Sequence, residues 1–145
     1  MSDYDPNYVP VYAPFVLSVK VLIINEQSEL LMLRRSDKTS HPHDWDYAGG
    51  GVDAGESPDD AARREVFEET GLVIDSVQII SSYHGHHRNG HEYVMLGYIA
   101  QSSTSAVKLS WEHEAYEWMT IEAAMRLDMP AQYRAMLEMH AKTVR

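Results

Sequence analysis

An α/β sandwich is predicted for this chain by strand-like apolar runs on both sides of one well-signalled helix and by a second helical stretch that closes the sequence. Phe15 to Asn25, rich in Val, Leu and Ile, reads as the first strand and Glu29 to Arg34 as the second. The polar Asn25-Glu26-Gln27-Ser28 makes the turn between them. Ser36 to Asp44 is a polar loop with Pro42 and two histidines. Trp45 to Ala48 is expected to be a short strand running into Gly49-Gly50-Gly51. Ser57 to Thr70 carries helix signals at both ends: Ser57 to cap it, Pro58 at the first position, Asp60 for a capping box and Gly71 as the stop. Val77 to Tyr83 and Glu92 to Gln101 read as strands around a turn at His84 to His91. Glu117 to Thr120 is a further strand. Ile121 to Lys142 is a helix broken near Met129-Pro130. No repeat, linker or low-complexity tract divides the chain, so residues 1–145 are read as one domain.

A chain of 145 residues that is 44% hydrophobic and 23% charged can bury a sizeable core and is not of disordered composition. It contains no cysteine, which excludes disulfides, thiolate zinc sites and a thiolate nucleophile, and fits a reducing cytosol. The start, MSDYDPNYVP, lacks the basic and apolar segments of a signal peptide. The longest apolar run, Val16 to Ile24, is interrupted by Ser18 and Lys20 and is too short to span a bilayer. A cytoplasmic protein without a membrane partner is therefore expected. The net charge of −10 repels polyanions and argues against a long nucleic acid as partner.

Half of that charge lies in one segment. Between Gly50 and Leu72, seven carboxylates (Asp53, Glu56, Asp59, Asp60, Glu65, Glu68 and Glu69) face only Arg63 and Arg64. A solvated helix face is the ordinary meaning of such a run, but the spacing decides otherwise. Glu65, Glu68 and Glu69 stand at i, i+3 and i+4 and share a face, while Ala62 and Val66 face the core. Like charges so placed cost an isolated helix a few tenths of a kcal/mol per pair, and local rules broken in this way mark functional sites. Hard divalent cations want carboxylate oxygens, and magnesium combines one or two of them with waters and substrate phosphates. The preceding glycines let the backbone approach such an ion, where a carbonyl can serve as a further ligand.

Gly50, five residues, Glu56, seven residues and Arg64-Glu65-Val66-Phe67-Glu68-Glu69-Thr70-Gly71-Leu72 resemble the Nudix box at every defining position. The order of strands and helices around it also resembles a Nudix domain, an α/β/α sandwich around a mixed sheet. The resemblance implies hydrolysis of a phosphoanhydride bond in a nucleoside diphosphate linked to another group, by water and magnesium, with manganese as substitute. It implies Glu65, Glu68 and Glu69 as metal-binding carboxylates, the Gly49 carbonyl as an added ligand, and Arg64 paired with Glu56 to position them. The catalytic base varies within the family: Glu69 or Glu68 is one option, and a glutamate on the later loop (Glu112, Glu114 or Glu117, with Glu114 put first) is another. Many relatives are dimers, so a homodimer is allowed. The alternative reading is a catalytically silent Nudix module that binds a nucleotide and regulates a partner, although silent modules usually lose box glutamates and none is missing here. The isopentenyl diphosphate isomerases that share the fold use a cysteine and are excluded.

Arg34 and Arg35 end a strand and point to opposite sides, so one can face the pocket and bind substrate phosphate, with surface exposure as the alternative. His41 and His43 touch phosphates or are solvated. Trp45 and Tyr47 divide between core and nucleobase stacking, as do Trp111, Tyr116 and Trp118, with Trp118 favoured for the core. The substrate-binding set is thus Arg34, Arg35, His43 and Tyr47. For the histidines between His84 and His91, solvent-facing or base-stacking imidazoles are favoured over bound zinc, since cysteine and fixed helical spacing are lacking. No subfamily mark selects among nucleoside triphosphates, nucleotide sugars and ADP-ribose.

Overall fold

Strand β1 (Val16–Ile24) buries both faces from Val21 onward, which accounts for its nearly unbroken apolar run. Its side chains alternate between two cores: Val19, Val21 and Ile23 enter one, Leu22 and Ile24 the other. Strand β2 (Leu30–Arg35) repeats the pattern, with Leu31 and Leu33 in the first core and Leu30 and Met32 in the second. The computed structural model describes residues 4–144; the outermost positions of the expected domain, 1–3 and 145, lie outside the described residues.

Five further strands complete one mixed sheet: β3 (Trp45–Asp46), β4 (Ala48–Gly51), β5 (Val77–His86), β6 (Glu92–Gln101) and β7 (His113–Met119). The order is β3-β2-β1-β6-β5, with β4 also on β1 and β7 also on β2. Strands β1 and β6 run parallel from Val16↔Tyr93 to Ile24↔Gln101, and the other pairings are antiparallel. Helix α1 (Pro58–Thr70) covers the first core through Ala61, Ala62 and Val66. Helices α2 (Ile121–Ala124) and α3 (Ala131–Thr143) cover the second through Ala124, Met136 and Leu137. The expected α/β/α sandwich around a mixed sheet is what forms. No helix among the described residues is long and apolar enough to cross a membrane.

Three elements differ from the sequence reading. Strand β5 continues to His86, so His84, Gly85 and His86 are ladder residues paired with Val94, Tyr93 and Glu92. Strand β7 starts at His113 rather than Glu117, because pairing with β2 holds its exposed polar half in place where no apolar alternation signals a strand. The expected break in the C-terminal helix forms but is wider than Met129-Pro130: two helices are separated by residues 125–130. The Arg134 guanidinium donates to the Leu127 carbonyl at 2.6 Å and to that of Met125, satisfying groups that a continuous helix would have paired internally.

One buried charge cluster joins β1, β2, β3 and β7. The Asp46 carboxylate, 1% exposed, accepts from Lys20 Nζ at 2.8 Å, Arg35 Nη1 at 3.0 Å and the Tyr47 N–H at 2.8 Å, with His113 Nε2 at 3.3 Å. Burial opposes the Asp46 charge, but Lys20 and the His113 hydrogen bond outweigh it and hold the carboxyl well below the usual range. Burial likewise opposes the Lys20 ammonium, and Asp46 reverses that, raising its pKa. Because Asp46 is depressed in the fold, its contribution to stability is present above the unfolded carboxyl's pKa of about 3.9 and is lost as pH falls below it. Asp46→Asn strands Lys20 and should cost about 3 kcal/mol at neutral pH, the lower range for breaking a buried pair. Urea melts at a series of pH values should show a shallower acid limb in the variant than in the wild type. Parallel acid limbs would refute the share assigned to Asp46.

Candidate active site

Helix α1 begins where Ser57 Oγ accepts from the Asp60 N–H at 3.1 Å and ends at Gly71, whose φ of 72° lets its N–H reach the Phe67 carbonyl. The capping box is half made: the Asp60 side chain turns to Arg63 at 3.2 Å instead of reaching back. Two turns into the helix, Arg64 gathers the acidic segment. Its guanidinium is bidentate to Glu56 (Nε to Oε2 2.8 Å, Nη2 to Oε1 3.0 Å), and Nη1 reaches Glu65 at 2.9 Å and Glu68 at 3.2 Å. Nη2 also donates to the Gly51 carbonyl at 3.0 Å, tying the helix to β4. The hydrogen bonds from Arg64 and the Asp53 N–H lower the Glu56 pKa.

The three glutamates of the shared face have three environments. Glu68 is mostly exposed. Glu65 is largely buried; burial raises its pKa against the pull of Arg64, and Glu68 and Glu112 add to the rise. Glu69 is 2% exposed, and burial pushes it up to about 9 against the pull of Lys20 and of the Gly49 N–H, which donates to Oε2 at 3.0 Å. A glycine is required at position 49, and at Gly50 a side chain would displace Glu65. A Cβ on Gly49 would lie 2.0 Å from the Val19 carbonyl, and one on Gly50 would lie 2.6 Å from Glu65 Oε1.

With Glu65 and Glu68 held by Arg64 and Glu69 by Gly49, the three carboxylates do not converge on a single point. Magnesium does not need them to, since it binds through one or two carboxylates and fills its octahedron with waters and phosphate. The all-oxygen donor set and the pKa rise at Glu69, which a cation alongside would oppose, fit such an ion. Glu112 belongs to this face as well. The loop before β7 docks on the end of α1 through the Lys108 N–H to the Thr70 carbonyl (2.9 Å) and the Ser110 N–H to the Glu69 carbonyl (3.3 Å), bringing the Glu112 charge to bear on Glu65 and Glu69.

Gly50 and Gly51 also line a cleft of about 490 Å³ on the α3 side of the sheet. Val16, Ser18 and Lys20 of β1 line it together with Arg35, His41 and Trp45, and Tyr93, His87 and Tyr133 add aromatic faces. Lys20 Nζ lies 5.7 Å from the centre of the Tyr133 ring.

Of the four substrate-binding candidates, only Arg35 lines this cleft. Arg34 is not part of its lining: its Nε donates to the His43 carbonyl and stands 3.6 Å from Glu114. The His43 ring also turns to Glu114, with Nδ1 2.6 Å from Oε1, so Glu114 is engaged away from the box glutamates. Tyr47 is fully buried in the second core and donates to the Tyr133 carbonyl at 2.9 Å, which corrects its reading as a substrate contact. In both places a neighbour does the lining: His41 for His43 and Trp45 for Tyr47. Trp118 packs against the first core as expected. Lys20 was missed as a site residue. Its signal was present, since Ser18 and Lys20 interrupt the apolar run at alternate positions and therefore share a face.

A family model described as NUDIX domain matches residues 14–139. Among curated relatives, an RNA pyrophosphohydrolase of Shewanella woodyi is 40% identical over 68 residues, covering 47% of this chain and 37% of that protein. One of Proteus mirabilis is 40% identical over 65 residues, 45% of this chain and 35% of that protein. The chain thus spans little more than a third of the length of these relatives. Among solved structures, the MutT protein of Methanosarcina mazei Go1 matches with a TM-score of 0.78 and 30% identity, over 94% of this chain and all of that one. An Ap4A hydrolase of C. elegans, 24% identical, matches with a TM-score of 0.75 over 89% of this chain and 97% of that one, a likeness of fold alone. With the family model spanning nearly the whole chain and the box intact within it, the chain belongs to the Nudix family.

Proposed function

We propose that this chain is a magnesium-dependent hydrolase that cleaves a phosphoanhydride bond in a nucleoside diphosphate linked to another group. The observation that carries the reading is Arg64, bidentate to Glu56 and bonded to both Glu65 and Gly51, which fixes the acidic face of α1 against the strand that lines the cleft. Glu65, Glu68 and Glu69 would hold the ion, with the Gly49 carbonyl as a further ligand. Magnesium, or manganese in its place, supplies neutralisation of phosphate charge and a water of lowered pKa. Arg64 keeps the glutamates from dispersing, and Gly49 fixes the Glu69 carboxylate through its N–H. In the cleft Lys20 and Arg35 pair with substrate phosphates, and Trp45, Tyr93 and Tyr133 present faces for a base.

The cleft volume suits a nucleotide-sized ligand. The net charge of −10 disfavours the body of a long RNA, whereas the matched relatives carry the name RNA pyrophosphohydrolase. A magnesium-dependent assay over nucleoside triphosphates, nucleotide sugars, ADP-ribose and a 5′-triphosphorylated RNA tests both. Turnover of none of them would overturn the reading in favour of a silent module.

Two variants test the roles. Glu69→Gln should lower turnover at saturating magnesium by at least ~10²-fold, the lower range for losing a general base; wild-type rates would remove Glu69 from the reaction. For the later loop, we place the contributing glutamate at Glu112. Glu112→Gln should cost on the order of 10²-fold and Glu114→Gln only a few-fold, compared by kcat on the best substrate of the panel. The reverse ranking would return the role to Glu114.

A further inference from the structure

The β5–β6 hairpin presents different chemistry on its two faces. Tyr83, Gly85 and Tyr93 lie on the cleft side, where a Cβ on Gly85 would stand 2.7 Å from both tyrosine rings. The other face carries His84 and His86, two residues apart on β5, with Glu92 directly across the ladder from His86. His84 Nε2 lies 2.9 Å and His86 Nε2 3.4 Å from the same oxygen, Glu92 Oε1. Among the described residues this is the trio of His, Cys, Asp or Glu side chains whose ligand atoms all lie within 4.8 Å of one another. Ligands roughly 2.0–2.1 Å from a tetrahedral ion stand roughly 3.3–3.5 Å apart, so only small side-chain rotations separate this arrangement from a coordination shell. The backbone is already fixed by the strand pairing and by the short turn in which the His87 N–H reaches the His91 carbonyl at 2.8 Å. Phe15 backs the His84 ring edge-on at 5.3 Å.

We propose that His84, His86 and Glu92 bind a transition-metal ion of the zinc class, apart from the box glutamates. Two imidazoles and a carboxylate select zinc, cobalt or nickel over magnesium, whereas the all-oxygen face of α1 selects the reverse. Both histidines are half-exposed, so the ion enters from solvent and a water completes the shell. The sequence reading favoured solvent-facing or base-stacking imidazoles over zinc for want of cysteine and of fixed helical spacing; the strand register supplies a fixed spacing of another kind. The bound ion would clamp the hairpin whose opposite face places Tyr93 and His87, their rings 4.6 Å apart and tilted by 31°, in the cleft.

The test uses the full chain, stripped with chelator and titrated with Co²⁺ in excess Mg²⁺. One equivalent should bind with the visible absorption of four-coordinate cobalt. His86→Asn and Glu92→Gln should each weaken binding by at least ~10-fold, the lower bound for losing even an outer-shell partner of a metal site. Glu69→Gln should leave the cobalt titration unchanged, which separates this site from the box. Hydrogen exchange at residues 87–91 should slow with Zn²⁺ in the wild type and not in His86→Asn. The proposal is overturned by a titration without saturable binding, by cobalt binding that survives His86→Asn, or by binding that Glu69→Gln abolishes.

Discussion

Strand β1 gives its whole length on one edge to β6, while its other edge passes from β4 at Ser18–Val21 to β2 at Ile24. A strand that serves two neighbours on one side must let them diverge, and the cleft opens at the divergence. Lys20 stands at that point, opposite Gly49 in the ladder and hydrogen-bonded to Asp46 of β3. The same split decides what the walls contain. Backbone groups there cannot all be paired by a continuous sheet, and the buried Asp46 cluster supplies polar partners in their place, including Tyr47, which offers both its N–H and its carbonyl.

The site sets a cationic cluster against an anionic one. Lys20 and Arg35 outnumber Asp46 on the cleft wall, whereas Arg64 is outnumbered by Glu56, Glu65 and Glu68 on α1. A protein with a net charge of −10 thus keeps a local positive excess where an anionic group would lie. On the helix, each glutamate meets the crowding differently: Glu68 by hydration, Glu65 by its ion pair, and Glu69 by a backbone N–H together with a strongly raised pKa. Burying Glu69 without a full charge partner weakens the fold, and only a cation or a proton relieves the strain. Function of the proposed kind accounts for a cost that stability alone would have removed.

Much of the acidic face was legible in the sequence because helix geometry converts spacing into direction. Residues i, i+3 and i+4 share a face whatever the rest of the chain does, and caps at Ser57 and Gly71 fix the phase. The cleft was not legible to the same degree, because a strand alternates every residue and a displacement of one reverses the answer. The irregularity between Arg34 and Arg35 in the β2–β7 pairing lies where the two arginines had to be told apart. In the loop before β3, positive φ at His41 (117°) and His43 (68°) breaks any simple alternation, so His41 reaches the cleft while His43 turns to Glu114. Glu112 and Glu114 illustrate the same limit: which of them approaches α1 depends on where β7 begins, and that is set by its partner strand.

The hairpin β5–β6 extends this contrast. Its two faces carry groups of different hardness, phenol and imidazole toward the cleft and an imidazole–carboxylate trio away from it, on strands whose register holds them apart. A helix face crowded with carboxylates suits an ion that keeps its waters and shares substrate oxygens. A ladder with alternating histidines suits one that exchanges water for nitrogen. Since the donor types differ, a magnesium level that filled the first would leave the second open to a softer ion. Selectivity between the two then follows from secondary-structure geometry: the helical repeat gathers like oxygens, and the pleat pairs unlike donors across neighbouring strands.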